Sequence, residues 1–229
     1  MIRSAISPIS LQAARPRLAD LKAMLGQAIG KSSDFLMTHD VEVTLTWFVS
    51  EHSRYQTHVA ADLDNVIKPL LDAATGPDGV MIDDNQVQSI RASWMTPGSW
   101  GEGFELTIAS LNPDDTIQRE GTAFVEFAPD TCYVLPGACR EAWPILFASY
   151  RQYVDARAKC TAVGVAPANL SSFAPIARPW HSQRLRLQRF PVLSHTHDFG
   201  APHFRSGEFK RDGARGLDNG ALPIPSDYE

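Results

Sequence analysis

At 229 residues and 44% hydrophobic content, the chain suffices for one ordinary domain, or a smaller domain with an extension, and can bury a core. No run of about 18 apolar residues occurs, which excludes a transmembrane helix. The formal net charge of −5 argues against a protein that simply coats DNA with a basic face, although carboxylates gathered around bound cations would count less than the formal charge suggests. The charge is uneven: from Arg178 to Arg215, eight Lys or Arg face only Asp198, Glu208 and Asp212. The opening MIRSAISPISLQAARPR lacks an apolar core and predicts no secretory signal. Cys132, Cys139 and Cys160 show no CxxC spacing, so reduced thiols in a cytoplasmic protein are expected rather than disulfides or a zinc site.

Residues 1–12 predict a short edge strand and a turn at Pro8. Leu18, Leu21, Leu25 and Ile29 then recur at helical spacing from Gln12 to Ile29, and Gly30 ends that helix. Val41, Val43, Leu45 and Trp47 alternate with polar residues and predict a strand over 40–50. Glu51–His58 reads as a polar loop. A second helix is expected over Asp62–Ala74, settling into regular geometry only around Pro69, whose missing N–H disturbs the bond to Asn65. Turn chemistry follows at Thr75–Gly79, then two strands at 86–95 and 103–111. This order predicts an α/β fold: a small mixed β-sheet with two helices packed on one face. The pattern changes at Asn112-Pro113-Asp114-Asp115. Residues 112–163 form an extension with a strand at 121–127 and a helix at 138–159. Residues 164–229, rich in Pro, Arg and His, read as a low-order tail.

Chemistry concentrates in DLDNVIKPLLD (62–72) and GVMIDDNQV (79–87). Residues two apart share a face of an extended segment, so Asp62 and Asp64 can enter one pocket, and Lys68 lies one helical turn beyond Asp64. The Asp83–Asp84 pair follows a tight turn and returns to the same place if its strand pairs beside the one leading to Asp62. Converging carboxylates need a cation to stay ionised. Magnesium, a hard ion with oxygen ligands, resolves the repulsion, activates water and offsets charge on a phosphate. Taken singly, Asp64-Asn65 also reads as a helix cap, Asp83-Asp84-Asn85 as a polar turn and Lys68 as a solvated side chain.

The two acidic strings resemble the signature of the RusA family of Holliday-junction resolvases: D-x-D-N-x-x-K, an Asp four residues on, a Gly, a short apolar step, then D-D-x-Q-[VI]. The opening SPISLQAARPRLADLKAML is similar to that family's Pro-x-Ser-x-Gln start, and the resemblance covers about residues 1–111. It implies a small α/β homodimer that cuts four-way DNA junctions with magnesium, or manganese in its place. The family's catalytic and metal-binding acids fall on Asp62, Asp64 and Asp84, with Asp83 as a neighbouring ligand, and its catalytic lysine falls on Lys68. Asn65, Asp72 and Gln86 match as supporting residues. Pro77-Asp78 lengthens the turn before Gly79, Met81 stands where an aromatic is common, and 112–229 match nothing in the family.

Two other readings compete. A haloacid-dehalogenase-type phosphatase would use Asp62 as nucleophile and Asp64 as acid, but Gln56–Ala61 makes a poor preceding strand and the acidic motifs lie too close together. A non-catalytic protein that binds branched DNA is the alternative from another class. In the tail, Arg184, Arg186 and Arg189, with Trp180, Phe190 and Phe204 around them, form a weak candidate surface for gripping DNA. His195, His197 and His203 read as surface histidines. The aromatic run at 143–153 reads as a packing face.

Overall fold

The computed structural model describes residues 1–166, 178–194 and 196, except residues 6, 9, 11, 59 and 100. Its first sheet is built on the strand Val41–Phe48, the third in the chain (β3). The alternation there is driven by burial: Val41, Val43, Leu45 and Trp47 are at most 3% exposed. On one side β3 pairs antiparallel with β5 (Gly103–Ser110), which carries β1 (Ile2–Ser4) at its far edge. On the other it pairs parallel with β4 (Val87–Met95), giving the order β1-β5-β3-β4.

A parallel neighbour requires a crossover, and the crossover carries α3 (Leu63–Ala74). Val66, Leu70 and Leu71 of this helix pack with Leu21, Leu25 and Ile29 of α1 (Arg15–Ser32) on the buried side chains of β3. The expected mixed sheet with two packed helices is thus present. Two details differ from expectation. Glu51–Tyr55 is a short helix (α2), because Ser50 caps it by accepting from the Ser53 N–H at 3.1 Å. α3 also runs unbroken through Pro69: one backbone bond is lost there, while Val66, Pro69, Leu70 and Ala73 are all buried.

The chain beyond Asn112 folds back on this unit. β6 (Thr116–Gln118) pairs with β2 (Phe35–Met37), directly after α1. β7 (Ala123–Ala128) and β8 (Thr131–Leu135) form a hairpin whose turn places Asp130 at φ 62°. A 3₁₀ turn at Gly137–Ala142 leads into α4 (Trp143–Ala162). Pro144 sits in the first turn of α4, where no helical N–H is missed. The aromatic run of α4 packs as expected, with the Tyr150 ring stacked 5.0 Å from that of Tyr133.

The expectation of low order from residue 164 fails at 178–194. This stretch forms α5 (Ser182–Leu187) and β9 (Val192–Ser194), the latter parallel to β7. The reason is burial: Trp180, Leu185 and Phe190 join Leu36, Ile82, Phe124, Cys132 and Val134 in a second core. The histidines at 195, 197 and 203, and Phe204, lie outside the described residues.

A candidate nuclease site at the start of α3 and the acidic turn

Asp62 caps α3 in extended geometry, and Asp64 stands in its first turn. Both are exposed, and neither carboxylate is engaged by a hydrogen bond or ion pair with a described residue. Asp64, Lys68 and Asp72 follow at intervals of four, so they share one outward stripe of the helix. The Lys68 ammonium lies 2.5 Å from Asp72 Oδ1 and 2.5 Å from Asp84 Oδ2, which joins the two acidic motifs across the turn between them.

That turn is closed by backbone bonds. Val80 and Met81 N–H groups both donate to the Ala74 carbonyl at 2.9 and 3.2 Å, and the Gly76 N–H donates to Met81 at 2.9 Å. Gly79 permits the closure, because a Cβ there would stand 2.1 Å from the Ala74 oxygen. Gln86, 1% exposed, then fixes the acidic segment. Its Oε1 accepts from the N–H groups of Ile82 and Asp83 at 2.6 and 3.0 Å. Its amide nitrogen donates to the carbonyls of Met37 and His39 at 2.8 and 2.7 Å. Asp83 caps the 3₁₀ turn Asp84–Gln86 by accepting from the Asn85 N–H, and its side chain is only 5% exposed. Asp84 is left at the surface of this rigid turn.

Partial burial acts to lower the Lys68 pKa. Hydrogen bonds from Lys68 to Asp72 and Asp84, with their charges, outweigh burial and raise it above the ordinary 10.5. At the N-terminal end of α3 a polar cavity of about 570 Å³ is lined by Asp62 and Asn65 together with Arg17, Trp47, His58 and Glu102. The buried Trp47 Nε1–H has no acceptor there among the described residues.

The structure therefore brings Asp84 to Lys68 and Asp72, keeps Asp64 on the same stripe, and puts Asp62 and Asn65 at the adjoining cavity. Among the described residues, no three Asp, Glu, His or Cys side chains are gathered closely enough to hold a metal ion. The Asp83 and Asp84 charges are instead met by Arg184 and Lys68. Arg184 Nη1 lies 3.0 Å from Asp83 Oδ1, and Arg186 is paired with Glu126 at 2.7 Å. Arg189 lines a separate cavity with Thr75 and Gln188. The Arg184–Asp83 contact, between residues 101 apart in sequence, had no local signal. Only the burial of Asp83 beside a catalytic-type Asp could have prompted a search for a distant cation.

The sequence model of the endodeoxyribonuclease RusA family matches residues 14–108. This segment is a RusA-family domain. The match spans α1 to β5, so both acidic motifs and Lys68 lie inside it, and the second core's Trp180, Leu185 and Phe190 lie outside. No curated protein matches the chain. As a RusA domain the segment is that of a nuclease. Among the described residues, no helix is long and apolar enough to cross a membrane.

Proposed function

We propose that the protein is a magnesium-dependent endonuclease that cuts four-way DNA junctions, with Asp62, Asp64 and Asp84 as metal ligands. The observation that carries this reading is the Lys68 bridge, which ties Asp84 to the helix bearing Asp64. The donor chemistry fits the ion, although the three side chains are not gathered around one point: all three are carboxylates, hard oxygen donors, and those of Asp62 and Asp64 are exposed and engaged by no described residue. Asp83, buried and paired to Arg184, supports the turn from behind.

Bound magnesium would supply Lewis acidity, activating water for attack on the phosphodiester and offsetting the charge that develops there. Lys68 stays protonated at neutral pH and is a fixed positive charge for a non-bridging phosphate oxygen. Its ammonium, released from Asp84, hydrogen-bonds that oxygen and orients the scissile bond. Asp72 holds the Lys68 side chain in place meanwhile. Asn65, at the adjoining cavity, is a neutral polar contact for the strand entering the site. Hydrolysis forms one P–O bond to the water oxygen and breaks one P–O ester bond. Two strands must be cut to resolve a junction, which calls for two copies of the site and hence a homodimer. The setting is the cytoplasm, in recombination and repair.

A second reading, a protein that binds branched DNA without cutting it, is favoured by one observation: Lys68 and Arg184 already compensate the acidic turn. One experiment separates the two. Purified protein is incubated with a labelled synthetic four-way junction and a matched linear duplex, with and without magnesium. Paired symmetric nicks on the junction, lost without metal, are expected. Equal cutting of the duplex would remove the junction specificity. Binding without cleavage, unchanged in Asp64→Asn, would overturn the nuclease reading.

A further inference from the structure

The link that carries the chain from the Lys68 helix to Asp84 is held at both ends by a segment outside the RusA match. At one end Arg184 meets Asp83, whose neighbour is Asp84. The Asn85 side-chain amide, with its oxygen turned toward the guanidinium, accepts from Arg184 Nη1 and Nη2 at 2.9 and 3.1 Å. At the other end, four residues on, Gln188 Oε1 accepts from Thr75 Oγ1 at 3.3 Å. Thr75 directly follows α3, and the Gln188 carbonyl comes so close to Gly76 that a Cβ there would stand 3.2 Å from it. Beneath this pair of contacts, Leu185 and Phe190 share the second core with Ile82.

A buried carboxylate without a cation is strongly destabilising. Among the described residues, Arg184 is the cation that meets Asp83. The planar fork matters too, because it engages Asp83 and Asn85 together, which the point charge of a lysine does not do.

We propose that Arg184 is a positioning residue for cleavage. Acting through Asp83 and Asn85, it sets where Asp84 stands relative to Lys68 and the carboxylates of α3. Residues 178–194 are then part of the catalytic unit although the family match ends at residue 108. This inference rests on the nuclease reading above.

The test compares the full-length wild type with Arg184→Ala and Arg184→Lys. Four quantities are read: single-turnover junction cleavage against magnesium concentration, junction affinity in calcium, Mn²⁺ binding without DNA by electron paramagnetic resonance, and amide exchange over residues 82–86. In Arg184→Ala, cleavage should fall about 10- to 100-fold, the scale of an ångström's misplacement. The magnesium or manganese needed should rise and exchange should quicken at 82–86, while junction affinity holds. Arg184→Lys should lie between the two. Weakened junction affinity with a shallower salt dependence, and unchanged Mn²⁺ binding, would instead make Arg184 a phosphate contact and overturn the proposal. Should Arg184→Ala not fold, Arg184→Lys decides: wild-type metal dependence and exchange there would refute the role of the fork. A wild type that neither cuts nor binds Mn²⁺ defeats the nuclease reading. The exchange measurement then still decides whether Arg184 orders the turn, and unchanged exchange would overturn that.

Discussion

Phe190→Ala should unsettle the fold although the residue lies more than eighty positions beyond the family-matched segment. Phe190 is 5% exposed, and its ring meets that of Phe124 edge-on, with centroids 5.2 Å apart. Truncating a buried Phe removes its transfer free energy and leaves a cavity, together about 3–5 kcal/mol. For a folded unit of this size each kcal/mol lowers Tm by about 2–4 °C, so a drop of roughly 6–20 °C is expected. Thermal melts followed by far-UV circular dichroism measure it. Leu187→Ala, at a site 74% exposed, is the control and should stay within about 0.5 kcal/mol of wild type. If Phe190→Ala melts with the wild type and loses only affinity for single-stranded DNA, the residue is a base-stacking surface side chain and the second core is wrong.

Asp64→Asn and Asp84→Asn should each lower junction cleavage by at least about 100-fold, with binding kept, because a charged group is lost from the reacting centre; full activity in either variant would remove the site. Lys68→Ala should slow turnover with little change in junction affinity. In the wild type, the raised Lys68 pKa keeps the ammonium charged, so its stabilising pairs persist below about 10.5 and are lost only at higher pH. A falling limb near pH 8 in the wild-type rate profile, absent from Lys68→Arg, would contradict this. Gln86→Ala strips partners from four backbone groups and should cost at least about 2 kcal/mol in urea unfolding, given roughly 1–3 kcal/mol per buried group left unpaired. Cys139, exposed, should react with an aromatic disulfide reagent in the native state. Cys132, buried and with its thiol pushed up to about 12 chiefly by desolvation, should react only on unfolding; prompt labelling of both would refute its burial.

Much of the first sheet was legible because its periodicities are local. The alternation of Val41, Val43, Leu45 and Trp47 and the helical spacing of Val66, Leu70 and Leu71 state which face each element buries. The acidic strings were legible for the same reason: Asp64, Lys68 and Asp72 sit on one helix. What the local pattern hid was long-range compensation. Lys68 and Arg184 supply positive charge to Asp84 and Asp83, and Arg184 reaches Asp83 from across the chain. Residues 178–194 looked unstructured because the segment is short and rich in Arg and Pro. Its three apolar anchors, Trp180, Leu185 and Phe190, find their partners only in the folded molecule. Ser50 as the cap of α2 and the apolar run of β8 were local signals overlooked.

The distance along the chain between Asp83 and Arg184 also bears on biosynthesis. A ribosome that has just added Asp83 must add about 100 further residues before the Arg184 guanidinium exists, which at about 5–20 residues per second takes roughly 5–20 s. During that interval the emerging polypeptide holds the Asp83 carboxylate without the cation that meets it in the folded molecule, so the turn has only its backbone bonds and Gln86 to close it. The ion pair between Asp83 and Arg184 is thus a late contact of the chain's synthesis, available only after the whole matched segment has been made.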